Sequence, residues 1–155
     1  MQIKEKDLKV LKKVTENISK YEWHNLTPES RYYSIVEFPT EAERRSNSFY
    51  AEITNGLTII VGAYSSRFYY EEDNFAWEKK FYAAIISTKN STLSSIAFIT
   101  HEDLESLNRK NTIFKLPSFL EVQSIEDNII VSLYDVVNRE ASGIDDLYDD
   151  FLEDE

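Results

Sequence analysis

The chain has 155 residues, a formal net charge of −11 and no cysteine. That length suits one domain that buries about two-thirds of its unfolded surface, and the missing cysteine excludes disulfides and thiolate zinc sites. The negative excess disfavours direct binding to nucleic acid, which is held largely by Lys and Arg, and to anionic membrane surfaces.

Hydrophobic residues make up 42% of the chain and aromatic residues 14%, with ten Tyr and nine Phe against three Gly and three Pro. So many bulky side chains point to a packed core rather than a disordered chain. The charged opening Met1–Asp7 has no apolar segment behind it and predicts no secretory signal. No apolar run reaches the roughly eighteen residues of a membrane span. With no cysteine to oxidise, a cytoplasmic location is expected.

Charge is unevenly spread. Residues 1–20 carry six Lys against three acids, whereas residues 140–155 carry eight acids and no base. Two outcomes are open: the basic and acidic ends pair within the fold, or the acidic end faces a partner.

Residues 3–22 read as an amphipathic helix, with Leu8, Leu11 and Ile18 along one line and Val10, Val14 and Tyr21 widening it. Pro28 disfavours helical geometry at Thr27, so the helix ends before it. Arg31–Phe38 alternates as a first strand would and stops at Pro39. Glu41–Arg45 is a charged connection. Ser48–Thr54 and Leu57–Tyr64 flank Asn55-Gly56, the pair suited to a type I′ turn, and predict a tight hairpin. Gly62 inside the second strand marks a bulge or a close approach.

Ser65-Ser66 is read as a turn, Arg67–Tyr70 as a further strand and Glu71–Asn74 as a polar loop. Residues 77–88 fit helix or strand; the turn-like Lys89–Thr92 and the β-like Leu93–Ile99 favour strand. Thr100 is an N-cap candidate with acids in the following turn, opening a short helix to about Arg109. Residues 112–116 and 119–123 are short strand candidates. Ile129–Val137 is either a last strand or the start of a helix, and Gly143 separates it from the acidic end. The expected fold is α+β, a single antiparallel meander of about five to seven strands over residues 1–143. The N-terminal helix packs on one face, and residues 144–155 form a short acidic helix or tail.

Chemistry-bearing motifs are scarce. His24 and His101 lack partners at metal-ligand spacing, and each is read as a partly exposed structural histidine. No G-x-S-x-G elbow is present, and glycines at 56, 62 and 143 cannot build a phosphate-cradling loop. Glu71-Glu72-Asp73 is an adjacent run rather than a carboxylate pair held across a cleft. The aspartates at 145, 146, 149 and 150 lack the glycine turn of a calcium loop. No cofactor and no metal are expected. Seven aromatic residues between Phe68 and Tyr82 suit either the two faces of a sheet or an exposed recognition surface; packing within the core is favoured for most.

Ile144, Leu147, Phe151 and Leu152 form one helical stripe amid seven carboxylates. This segment is expected to be anchored by its apolar side and to present its charge outward to a basic protein. The candidate binding residues are Asp145, Asp146, Tyr148, Asp149, Asp150, Phe151, Glu153 and Asp154, with a second patch at Tyr70, Glu71, Glu72 and Asp73. The expected function is a non-catalytic acidic binder that inhibits a basic partner, as an immunity protein neutralises a nuclease-type toxin. Alternatives are a nucleic-acid mimic directed at a DNA-binding enzyme, a structural or adaptor subunit, and an enzyme centred on His101 with Glu102 or Asp103.

Overall fold

The computed structural model describes residues 3–89, 92–109 and 128–153. Helix α1 (Glu5–Glu16) is followed by a 3-10 turn (Ile18–Lys20) and the two-residue strand β1 (His24–Asn25). Strands β2 (Arg44–Thr54), β3 (Leu57–Tyr69), β4 (Phe75–Ser87) and β5 (Ser94–Thr100) come next, then helices α2 (His101–Arg109), α3 (Ile129–Ser142) and α4 (Ile144–Glu153). The five strands form one antiparallel sheet in sequence order, and the fold is α+β.

The β2–β3 hairpin closes at Asn55-Gly56, with Thr54 opposite Leu57 and Gly56 at φ +98°, a conformation open to glycine at no steric cost. From there β3 is buried on both faces through Ile59, Ile60, Val61, Ala63 and Tyr64, which is why it reads as a continuous apolar run. Residues 77–87 are strand, in unbroken register with β3 from Leu57↔Ser87 to Tyr69↔Phe75.

One face of the sheet carries the larger core. Leu8, Leu11 and Val14 of α1 and Ile130, Leu133 and Val137 of α3 pack there on Phe49, Ile59, Val61, Ile85 and Ile99. Burying an aliphatic side chain of this size contributes about 1.5–3 kcal/mol. The opposite face is covered by a non-helical segment whose Tyr32 and Val36 pack on Ile60, Tyr64, Tyr82 and Ile86.

That segment is where the expected first strand fails. Residues 31–38 make local turns instead, with Tyr33 N–H donating to Ser30 O and Ile35 N–H to Tyr32 O. The sheet edge beside β2 is taken by β1, His24 lying opposite Tyr50. Tyr32 and Val36 point inward while Ser34 between them is exposed, so burial here does not keep the period of two that a strand imposes. The Ser65-Ser66 turn is also absent. Serine does not force a reversal, and β3 runs through to Tyr69; the chain turns at Glu71–Asn74, where Tyr70 N–H donates to Asn74 O at 3.2 Å.

Residues 129–137 are helical. Asn128, fully buried, caps α3 by accepting from Ile130 N–H at 3.0 Å and donates to His101 O at 2.8 Å, joining α3 to the start of α2. At α2, Thr100 and Asp103 exchange reciprocal bonds of 2.9 and 3.1 Å, a capping box at the N-cap the sequence places on Thr100. The strand candidates at 112–116 and 119–123 lie outside the described residues. Among the described residues, no helix is long and apolar enough to cross a membrane.

Candidate interaction surface

Helix α3 stops at Gly143, which adopts φ +66° and donates its N–H to Glu140 O. Only residues tolerant of the left-handed region end a helix this way. The chain re-enters helix at once as α4, where Leu147 N–H donates to Gly143 O at 3.1 Å. The Arg139 guanidinium bonds Asp145 at 2.6 Å across the junction. This contact, and Tyr148 and Asp135 nearby, raises the Arg139 pKa above its ordinary value, the Asp145 hydrogen bond being the largest cause.

Only Ile144 of the α4 apolar stripe is half-buried, so the stripe is not anchored along its length as the sequence expects. Leu147 is 60% exposed, Phe151 72% and Leu152 63%, and Tyr148 is exposed as well. The main contact of α4 is with α3. Amphipathic spacing says which side chains share a face; it does not say that anything covers that face.

Asp145, Asp146, Asp149, Asp150 and Glu153 are all exposed. Among the described residues only Asp145 has an ion-pair partner. Asp154 lies outside the described residues. Along α4, Asp145 and Asp149, Asp146 and Asp150, and Asp149 and Glu153 stand four apart, where like charges cost a few tenths of a kcal/mol per pair. Asp145 and Asp146 suit the positive end of the helix dipole, whereas Glu153 opposes the negative end. A ten-residue helix in water is marginal at best; this one also carries self-repulsion and an uncovered apolar side.

Internal pairing of the two chain ends is not what the described residues show. In α1, Lys9 pairs with Glu5 at 3.3 Å and Lys12 with Glu16 at 3.7 Å. No ion pair joins α1 to α4 among the described residues.

The second patch, Tyr70, Glu71, Glu72 and Asp73, forms the tip of the β3–β4 ribbon and is exposed throughout. Beyond Ser65 in β3 and Tyr82 in β4 neither neighbouring strand pairs with this ribbon, so its distal part stands out from the sheet. Phe68, Tyr69, Phe75 and Trp77 are exposed there, and Phe81 is half-buried. Core packing, expected for most of these rings, holds fully only for Tyr82. On one ribbon face Arg44 lies 3.8 Å over Trp77, and Arg67 stands 5.1 Å from Phe75 while donating to Glu43 at 2.7 Å. Run length and composition could not reveal this overhang, because it depends on where β2 and β5 stop. No described hydrogen bond, ion pair or ring contact links the two patches.

Among the described residues, neither histidine side chain is hydrogen-bonded to a serine, threonine or carboxylate. His101 is buried rather than partly exposed: its Nδ1 accepts from Phe81 N–H at 3.1 Å, and its ring meets Phe81 edge-on. Glu102 is paired with Lys80 at 3.1 Å, and Asp103 caps α2. Burial alone would raise the Glu102 pKa, but the Lys80 hydrogen bond and charge hold it below the ordinary value. His24 is exposed and lies against Tyr50. Among the described residues, no cluster of His, Asp and Glu is arranged to hold a metal ion.

Comparison with family models, curated proteins and solved structures found no match.

Proposed function

We propose that the protein is a non-catalytic binder that inhibits a basic protein partner, as an immunity protein does a nuclease-type toxin. The observation that carries this reading is α4: an apolar stripe left mostly in solvent, bordered by carboxylates with almost no counter-charge among the described residues. A helix of this kind is suited to a hydrophobic groove rimmed by Lys and Arg. Its negative field speeds encounter with a cationic surface, and Phe151 and Tyr148 supply the anchoring area that recognition surfaces favour. The test is capture from the native host with the intact chain and with one lacking residues 144–155. The reading requires a basic protein that binds the intact chain, loses activity at stoichiometric ratio and escapes the truncated chain. Equal capture and inhibition by both chains would refute it.

A further inference from the structure

On the sheet face away from α1 and α3, a cavity of about 350 Å3 opens between the end of β5, the start of α2 and the segment preceding β2. Its aromatic wall comes from Tyr64 and Phe98, whose ring centroids are 6.4 Å apart. Its charged lining is Glu37, Glu41, Glu102 and Asp103 against the single ammonium of Lys80. Lys80 is spent on Glu102 and Asp103 on the Thr100 N–H, while Glu37 and Glu41 have no ion pair among the described residues.

Tyr64 supplies a second and independent observation. The residue is 1% exposed, it lines the cavity, and its hydroxyl has no hydrogen-bond partner among the described residues. Among the described residues only Ser95 Oγ is sealed from solvent without a partner, so the Tyr64 hydroxyl keeps access to water, whereas in this core the Tyr32 and Tyr82 hydroxyls are bonded to Glu52 and Ser48 respectively. Burial, then the charges of Glu41, Glu102 and Asp103, pushes the Tyr64 phenol up to about 12, so it stays protonated at neutral pH with a lone pair free to accept.

We propose that this cavity binds an organic cation, an alkylguanidinium or alkylammonium group, with its N–H groups on the Tyr64 hydroxyl and the Glu37 and Glu41 carboxylates and its alkyl stem along Phe98. Aromatic walls with a carboxylate rim are the pairing that such cations favour. An anion would meet four carboxylates, and the Asp103 N–H in the first turn of α2 is already taken by the Thr100 hydroxyl. This site is separate from α4 and does not rest on the function proposed above. A free amine and a side chain of another protein present the same group.

The experiment is titration of the full chain with agmatine, followed by calorimetry and amide chemical shifts, with N-acetyl-arginine methylamide as the side-chain source and N-butylacetamide as an uncharged control. Saturable agmatine binding is expected, with shifts centred on residues 37–41, 64 and 98. Tyr64→Phe, which keeps the ring, should weaken it about 3- to 10-fold and Glu41→Gln about tenfold, as for one charge-assisted hydrogen bond. Removing residues 144–155 should leave it unchanged. Binding of the blocked arginine as well assigns the site to a protein side chain; binding of agmatine alone assigns it to a free amine. The proposal is overturned if no saturable binding occurs, if the neutral control binds as tightly, or if Tyr64→Phe, shown folded by its urea midpoint, binds agmatine like the parent.

Discussion

Gly62 should be intolerant of even one added methyl group, and the reason is space rather than backbone geometry. Its φ lies outside the positive range that favours glycine. An added Cβ would instead press on the Ser48 Oγ and Cβ and on the Tyr82 hydroxyl. Ser48 and Tyr82 are buried and hydrogen-bonded to each other at 2.8 Å, so neither can swing into solvent. Forcing a methyl into a packed core costs about 1–3 kcal/mol, and disrupting the Ser48–Tyr82 bond adds about 1 kcal/mol. Gly62→Ala should therefore lose about 2–4 kcal/mol in urea denaturation, or roughly 5–15 °C in Tm for a chain of this length. In a Ser48→Gly background, which removes two of the three contacts, the same substitution should cost at least about 1 kcal/mol less, a coupling expected of touching residues. A Gly62→Ala variant within about 0.5 kcal/mol of the parent, or equal costs in both backgrounds, would refute this account of the β2–β3–β4 packing.

Three further outcomes are expected. Asn128→Ala should cost about 2–3 kcal/mol in urea denaturation, since it removes the α3 cap and leaves the His101 carbonyl unpaired; Asn128→Asp, which keeps the cap acceptor but cannot donate, should fall between. Glu102 has a folded-state pKa below its unfolded value, so its contribution is present above the ordinary glutamate range and fades as pH falls through the folded pKa. The stability gap between the parent and Glu102→Gln should accordingly be largest near neutral pH and close in acid, as read from urea midpoints across pH. Gly143→Ala should cost about 1 kcal/mol from its left-handed φ, although nothing crowds the site, and Gly143→Asn less; thermal melts would rank the two.

Much of the fold was legible because local chemistry dictated it. Asn55-Gly56 demands a reversal, Thr100 with acids behind it advertises a helix start, and Gly143 breaks the chain before the acidic end; all three behave as their residue types require. The strand at 77–87 follows from Ile85-Ile86 needing two covered faces beside β3. The failures share one cause, namely that coverage is a tertiary property. Arg31–Phe38 alternates like a strand but serves as a lid over Tyr64 and Tyr82, its Tyr32 and Val36 turned inward together. Leu147, Phe151 and Leu152 do align as a stripe, yet they stay exposed. Phe68, Tyr69 and Trp77 are exposed because β2 and β5 end before the ribbon does. The cavity beside Tyr64 is assembled from residues 37, 41, 64, 80, 98, 102 and 103, spread over several segments with no periodic signal.

The most direct test of the proposed function is the salt dependence of affinity for the captured partner, compared between the parent and a chain with Asp145, Asp146, Asp149 and Asp150 all changed to Asn. Because these side chains are exposed, and the repulsion relieved along α4 is offset by loss of the Asp145–Arg139 pair and of the first-turn acids, the free variant should stay close to the parent in stability. Its affinity should be lower at low ionic strength and nearly flat as salt rises, while the parent's falls steeply toward it. Indistinguishable affinities and salt slopes would contradict the claim that α4 is the surface by which this protein holds its partner.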